Sequence, residues 1–121
     1  MPKILLIEDD ESLRENLAEA LEFEGFEVQV ATGGREGLEL VRRITPDLIV
    51  CDVLMPGITG LNVVQEIRAM PGAIAKTPII LFSALAHRKD IQVGLAVGAT
   101  LYLTKPCSLS ELIGKMRSLL P

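Results

Sequence analysis

Short apolar runs alternate with longer amphipathic segments from one end of the sequence to the other. Three of the five runs are continuously apolar, as expected for strands buried on both faces of a sheet. Such runs, separated by helical patterns, predict successive strand–helix units. The expected architecture is a parallel sheet with helices on both faces and right-handed crossovers. The predicted strands are 4–7, 28–30, 48–51, 79–82 and 101–103.

The segments between these runs carry apolar residues at the spacing of amphipathic helices. The first helix is predicted to end near Gly25. The fourth helix has the weakest pattern, because Gly94 and Gly98 lower its helix propensity. The fifth has the clearest pattern, and Ser108 with Glu111 forms a capping-box signature at its start.

Length and composition narrow the class of protein. The 121 residues contain no repeat, linker or low-complexity tract, so we predict a single domain over 1–121. A net charge of −4 argues against direct nucleic-acid binding by a basic face of this domain. Cys51 and Cys107 lack metal-ligand spacing and are predicted to be reduced. Without a signal peptide or a membrane-spanning apolar run, we expect a cytoplasmic protein with no membrane contact.

Polar residues with chemical potential follow the predicted strands. Glu8 and Asp9 come after the first strand, Asp52 after the third, Ser83 after the fourth, and Lys105 just past the fifth. In open parallel sheets, ligands bind beyond the carboxyl ends of the strands, where the strand order reverses. The flavodoxin-like order 2-1-3-4-5 makes strands one and three neighbours, and this order would bring the three carboxylates together.

A cluster of three carboxylates needs a cation, because like charges repel one another. Their oxygens are hard ligands and no imidazole or thiolate ligand is expected beside them, so Mg²⁺ is the predicted metal. Asp52 is then a candidate nucleophile that would form an acyl phosphate. Lys105 would supply a positive point charge to the phosphoryl oxygens, and Ser83 would hydrogen-bond the phosphoryl group once it is in place.

Four motifs in this order strongly resemble those of response-regulator receiver domains, the chemotaxis-regulator type of two-component signalling domain. The motifs are ILLIEDDE at Ile4–Glu11, DVLMPGITG at Asp52–Gly60, Phe82-Ser83-Ala84, and YLTKP at Tyr102–Pro106. Each motif alone is a weak signal. The four together, correctly spaced over the whole chain, are highly specific.

The resemblance implies a flavodoxin-like (βα)5 fold and a role for each site residue. Asp52 would be the phosphoacceptor, charged by a partner histidine kinase or histidine phosphotransfer protein. Glu8 and Asp9 would form the acidic pair, with Asp9 the more direct metal ligand. The main-chain carbonyl of Leu54 would complete the protein's coordination of Mg²⁺, for which Mn²⁺ is an expected substitute. Such a domain is not a conventional enzyme: it catalyses only its own aspartate phosphorylation and a slow dephosphorylation.

The resemblance also implies a conformational switch. Ser83 and Tyr102 would be the switch pair, and Lys105 would contact the phosphate through a loop containing a cis bond to Pro106. Phosphorylation would alter the face formed by helix 4, strand 5 and helix 5. That face would bind a downstream effector protein or an output domain, and it would also be the surface for a homodimer. A mildly apolar stretch at 93–98 is a weak sign of a contact surface there.

Three positions depart from the commonest receiver pattern. Glu8-Asp9 replaces the more frequent Asp-Asp pair, Thr100 stands where an acidic residue is common, and Cys107 replaces a frequent Phe. Because Thr100 and Cys107 would lie near the expected dimer surface, we do not carry over the dimer geometry of the transcription-factor subfamily.

The same residues argue against other functions of this fold. A haloacid-dehalogenase-type phosphohydrolase needs a second Asp two residues after the nucleophile, and that position is Leu54. A flavodoxin-like cofactor binder needs a phosphate loop after the first strand, where this chain has the acidic 8–11. A receiver fold that binds partners without phosphorylation remains as the alternative, although the acid pair, Asp52 and Lys105 argue against it.

Overall fold

The computed structural model describes residues 1–121 and contains one five-stranded parallel sheet with the order β2-β1-β3-β4-β5. This confirms the predicted flavodoxin-like (βα)5 architecture. The elements in chain order are β1 (Lys3–Ile7), α1 (Glu11–Phe23), β2 (Glu27–Ala31), α2 (Gly34–Ile44), β3 (Leu48–Cys51), α3 (Gly60–Arg68), a short 3-10 helix (Ala73–Lys76), β4 (Ile79–Ser83), α4 (Arg88–Ala96), β5 (Leu101–Thr104) and α5 (Leu109–Leu119).

The continuously apolar strands are buried on both faces, as their sequence predicts. Alternate side chains of β1, β3 and β4 point to opposite faces of the sheet. One set packs against α2 and α3, through residues such as Val41 and Ile67. The other set packs against α1 and α5, through residues such as Leu21 and Met116. The sheet is therefore the middle layer of three, and polar groups from its central strands emerge at the strand ends.

Several element boundaries differ slightly from the predicted ones. Ser83 is the last residue of β4 rather than the first residue after it, because its pairing with Thr104 extends the β4–β5 ladder. Helix α1 ends at Phe23, and the positive φ of Gly25 (98°) turns the chain into β2. None of the helices combines the length and the apolar composition that a membrane-spanning helix needs.

Polar side chains cap the N-termini of α1 and α5. Asp10 caps α1, since its side chain accepts a hydrogen bond from the Leu13 N–H at 3.1 Å. The Ser108 side chain caps α5 through the Glu111 N–H at 3.0 Å. The predicted capping box is only half formed, because the Glu111 carboxylate accepts from the Cys107 thiol at 3.4 Å instead.

A full capping box lies at α3, where sequence analysis did not place one. Thr59 and Asn62 exchange side-chain and backbone hydrogen bonds at the start of this helix. Asn at the third helical position is not the Glu or Gln of the usual signature, and this explains why the box was missed.

Candidate functional site

Three carboxylates meet at the carboxyl edge of the sheet, as the sequence predicts. Glu8 and Asp52 directly follow the neighbouring strands β1 and β3 and are only 2% and 8% exposed. Asp9 follows Glu8 and is exposed. One oxygen from each of the three side chains lies within 4.8 Å of the others. The strand order thus brings Asp9 and Asp52, which are 43 positions apart in the chain, into one acidic cluster.

Lys105 joins the cluster from the loop after β5. Its Nζ donates to Glu8 Oε1 at 3.1 Å and to Asp52 Oδ2 at 3.0 Å. The same ammonium lies 5.2 Å from the centroid of the Phe82 ring. The Lys105 main-chain N–H donates to the Ser83 carbonyl at 2.8 Å, and the bond to Pro106 is cis as predicted. A single cation therefore bridges the two buried carboxylates.

Backbone groups satisfy the other oxygens of the buried carboxylates. The Asp10 N–H donates to Glu8 Oε2 at 3.2 Å, and the Leu54 N–H donates to Asp52 Oδ1 at 3.1 Å. Leu54 is thus at the site through its N–H, while metal coordination by its carbonyl stays a prediction. These bonds fix both carboxylates in orientation, and they leave the exposed Asp9 as the freest of the three.

Arg14 is a site residue that sequence analysis did not identify. From the first turn of α1 its Nη1 donates to the Glu8 carbonyl at 3.0 Å and to the Asp9 carbonyl at 3.4 Å. It therefore holds the main chain of the acidic pair rather than either carboxylate. Carbonyl acceptors have no side-chain signature, and only the position of Arg14 one turn into α1 offered a signal.

Burial and neighbouring charges shift the pKa values of Glu8 and Lys105. Burial raises the pKa of Glu8, although the hydrogen bonds from the Asp10 N–H and from Lys105 act in the opposite direction. Burial on its own would lower the pKa of Lys105, but the hydrogen bonds and charges of Asp52 and Glu8 outweigh it and the pKa is raised. Lys105 is therefore held as a cation at neutral pH.

Ser83 and Tyr102 are connected through a residue that sequence analysis overlooked. The fully buried Ser83 Oγ accepts from the Leu85 N–H at 3.2 Å, and the Tyr102 hydroxyl donates to the Leu85 carbonyl at 2.7 Å. Burial raises the pKa of the Tyr102 phenol, with smaller contributions from the charges of Asp90 and Asp52, although hydrogen bonding with Ser83 acts in the opposite direction. One peptide segment at Leu85 thus links the two predicted switch residues.

The donor set of this site fits Mg²⁺. Three hard carboxylates converge on one point, and the only cation between them, Lys105, contacts two. The neighbouring Cys51 thiol donates to the Asp52 carbonyl at 3.2 Å, and burial raises its pKa, so it stays a protonated thiol and not a soft thiolate ligand. Both cysteines are free, as predicted.

Comparison with known proteins identifies the family. The family model described as response regulator receiver domain matches residues 4–117. The chain belongs to this family. The receiver domain is also 39% identical over 118 residues to the response regulator MprA of Mycolicibacterium vanbaalenii, and the match covers 98% of this chain and 50% of that protein. MprA of Mycobacterium leprae has the same identity and coverage. The chain therefore spans about half the length of these curated relatives.

Solved structures agree with this assignment. The chemotaxis protein CheY4 of Vibrio cholerae superposes with a TM-score of 0.91 at 34% identity, covering 99% of both chains. The receiver domain of the Francisella response regulator 1452 gives a TM-score of 0.91 at 34% identity, covering 98% of this chain and 96% of that one. The predicted fold and the predicted class, a receiver-type signalling switch of two-component systems, are confirmed.

Proposed function

We propose that Asp52 of this receiver domain accepts a phosphoryl group from the phosphohistidine of a histidine kinase or of a phosphotransfer protein. The observation that carries the proposal is the convergence of Glu8, Asp9, Asp52 and Lys105 at one edge of the sheet. In the transfer, a carboxylate oxygen of Asp52 forms a bond to phosphorus as the P–N bond of the donor breaks. The electron pair of that bond returns to the donor imidazole, and the product is an acyl phosphate.

Each residue around Asp52 would have a separate role in stabilising the phosphoryl transfer. Glu8, Asp9, Asp52 and the Leu54 carbonyl would hold Mg²⁺ or Mn²⁺, and the bound cation supplies charge neutralisation at the phosphoryl oxygens. Lys105 would supply the second positive charge. Its Nζ would donate to a phosphoryl oxygen in place of one of the two carboxylates that it now contacts. The Leu54 N–H orients the Asp52 carboxylate, since it already donates to Oδ1. Slow hydrolysis by water would return the domain to its resting form.

The switch would work through Ser83, Leu85 and Tyr102. On phosphorylation the Ser83 hydroxyl would donate to the phosphoryl group, and this contact would shift the loop that carries Leu85. Since Tyr102 donates to the carbonyl of that same loop, its position on β5 is coupled to the shift. The phosphoryl group therefore favours one of two arrangements of the face formed by α4, β5 and α5. That face would bind an effector protein or output domain, and two copies of the chain would dimerise through it.

Intact mass spectrometry after incubation with acetyl phosphate and Mg²⁺ tests the proposal. The wild type should gain one phosphoryl group, and a chelator should abolish the gain. Asp52→Asn should gain none. Asp47→Asn is the matched control, because Asp47 is an exposed carboxylate before β3 that accepts from the Lys3 N–H at 2.7 Å, at the opposite end of the strand. It should be phosphorylated like the wild type.

Two results would count against the proposal. Phosphorylation of Asp52→Asn would place the acceptor elsewhere. If the wild type neither gained mass nor bound Mg²⁺, the domain would instead be an interaction module that works without phosphorylation.

A further inference from the structure

Helix α4 is held in place by little packing along its length. Of its nine residues only Gly94 is buried, whereas Val93 and Leu95 are 40% and 45% exposed. Helices in proteins are stabilised mainly by burying an apolar face, and α4 buries very little of one. Its position must therefore depend on contacts at its two ends.

The C-terminal end of α4 is tied to the last residue of α3. Arg68 Nε donates to the Gly98 carbonyl at 2.9 Å, in the turn between α4 and β5. Its Nη1 donates to the Ala75 and Thr77 carbonyls at 3.0 and 2.7 Å, and its Nη2 donates to Thr100 Oγ1 at 3.4 Å. One guanidinium thus connects α3, the segment entering β4, and the α4–β5 turn.

The acceptors around Arg68 are all neutral. The ion pairs of this structure involve Lys105 and Arg117, and Arg68 has no carboxylate within 4.0 Å. Burial lowers the pKa of Arg68. A half-buried cation with no counterion is costly to keep, so its value must lie in the directed hydrogen bonds of its planar fork. Three of those four bonds are made to main-chain carbonyls, whose positions they fix.

Gly98 is fitted to Arg68. Its φ of +121° is a conformation that side chains rarely adopt, and a Cβ at this position would lie 2.8 Å from Arg68 Cγ. The absence of a side chain at Gly98 therefore allows both the turn and the close approach of the arginine stem. Thr100, two residues after Gly98, also accepts from the Ile79 N–H at 3.0 Å, which links the turn to β4.

The N-terminal end of α4 has a different kind of support. The Tyr102 hydroxyl donates to the Leu85 carbonyl in the loop before α4. The Tyr102 ring, by contrast, lies against Gly94, the seventh of the nine residues of α4, near the end that Arg68 holds. We propose that Arg68 is a positioning residue that anchors the C-terminal end of α4 at Gly98, so that movement of α4 is confined to its N-terminal end. The coupling of that movement to phosphorylation rests on the proposed function; the anchoring does not.

Residue-resolved hydrogen exchange on the whole chain tests the anchor without phosphorylation. In the wild type, the amides at the C-terminal end, Val97 and Gly98, which donate to Val93 and Leu95 carbonyls at 3.0 and 3.1 Å, should exchange more slowly than that of Ile91. In Arg68→Met they should exchange about tenfold faster, because hydrogen bonds from a charged donor are lost. Arg68→Lys, which keeps the charge but not the fork, should restore only part of the protection.

Arg117→Met is the matched control, since Arg117 is an exposed arginine paired with Glu24 away from α4. It should leave the gradient along α4 unchanged. The anchor is overturned if Val97 and Gly98 are no better protected than Ile91 in the wild type. It is also overturned if Arg68→Met speeds exchange equally in β1 and β3, because Arg68 would then contribute only to global stability.

Phosphorylation with acetyl phosphate and Mg²⁺ adds a second comparison. In the phosphorylated wild type, exchange should change near Ile91 and not at Gly98, whereas in phosphorylated Arg68→Met the change should extend through the helix. A change of equal size at both ends of wild-type α4 would overturn the confinement of the movement. Absence of phosphoryl uptake in the mass spectrum would instead overturn the proposed function, while the unphosphorylated proteins would still decide the anchor.

Discussion

The strands at the centre of the sheet are more deeply buried than the strand at its β5 edge. Every residue of β3 and β4 is buried, whereas every residue of β5 is only half-buried and α4 beside it buries a single glycine. The buried carboxylates follow central strands, while Tyr102 and Lys105 come from the edge. The proposed phosphoacceptor, Asp52, is therefore held by the well-packed centre of the sheet, and the residues expected to respond to it lie where movement costs little.

The two regions meet at Ser83. Its side chain is fully buried at the end of β4, but its hydroxyl accepts from Leu85 in the loop that leads to α4. Ser83 is therefore the residue through which a change at Asp52 would reach the less buried edge under the proposed function. Four experiments test this division between the centre and the edge.

Truncating a central strand residue should have the largest effect. Ile49→Ala in β3 removes a fully buried side chain and should lower the free energy of unfolding by about 2–5 kcal/mol. Leu95→Ala in α4 removes an exposed one and should change it by less than about 0.5 kcal/mol. Urea unfolding measures both. Similar losses for the two variants would contradict the contrast between centre and edge.

Mg²⁺ should stabilise the centre through Asp9. At a concentration 100 times its dissociation constant, a ligand that binds only the folded state adds about 2.7 kcal/mol, and thermal unfolding with and without MgCl₂ measures this. Asp9→Asn should lose most of the stabilisation. Asp10→Asn is the control, since Asn caps α1 as well as Asp does and should keep it. Equal Mg²⁺ responses in both variants would remove Asp9 from the metal site.

Two glycines in neighbouring helices should respond to alanine in opposite directions. A Cβ at Gly94 would lie 2.7 Å from the Tyr102 ring, whereas a Cβ at Gly114 in α5 would meet nothing within 4 Å. Gly114→Ala should stabilise the fold by about 0.5–1 kcal/mol through helix propensity. Gly94→Ala should lose about 1 kcal/mol, because overpacking exceeds that gain. Urea unfolding measures both free energies, and stabilisation by both substitutions would show that Tyr102 does not pack on α4.

The smallest effect concerns ionisation of Tyr102. It is the only tyrosine and the chain has no tryptophan, so phenolate absorbance reports on it alone. Burial raises its pKa in the folded state, whereas the unfolded chain should titrate near about 10. Above that pH the unfolded state has lost a proton that the folded state keeps. Stability should therefore fall as pH rises through about 10.

Titrating the protein in buffer and in urea measures the difference. Asp47→Asn, at the opposite end of the sheet, should leave the folded titration unchanged. Coincident curves in buffer and urea would mean that Tyr102 is exposed in the resting domain, and that the edge is looser than its contacts indicate.

Much of the site was predictable because its residues carry their own signals. Glu8, Asp52 and Lys105 are charged residues placed directly after apolar strands, and a parallel sheet gathers such positions at one edge. The residues that escaped prediction act through main-chain groups. Arg14 and Arg68 donate to carbonyls, and Leu85 supplies both an N–H and a carbonyl, so their side-chain types gave no indication of these contacts.

Gly94 and Gly98 show a second limit of prediction from the sequence. Gly94 and Gly98 weakened the predicted fourth helix, because propensity counts only the local cost of a missing side chain. In the folded protein Gly94 makes room for the Tyr102 ring and Gly98 for the Arg68 stem. Tyr102 and Arg68 lie outside α4 in the sequence, so no pattern within the helix could have indicated these contacts.

The apolar runs alone indicate a parallel sheet whose central strands are buried on both faces, with polar residues at the ends of those strands, and the resemblance to receiver domains adds the strand order and the location of the acidic site. Only the tertiary structure decided how the ends of α4 are held and how Ser83 is linked to Tyr102. Those contacts join segments distant in the chain through backbone carbonyls and N–H groups, and every residue carries these groups alike.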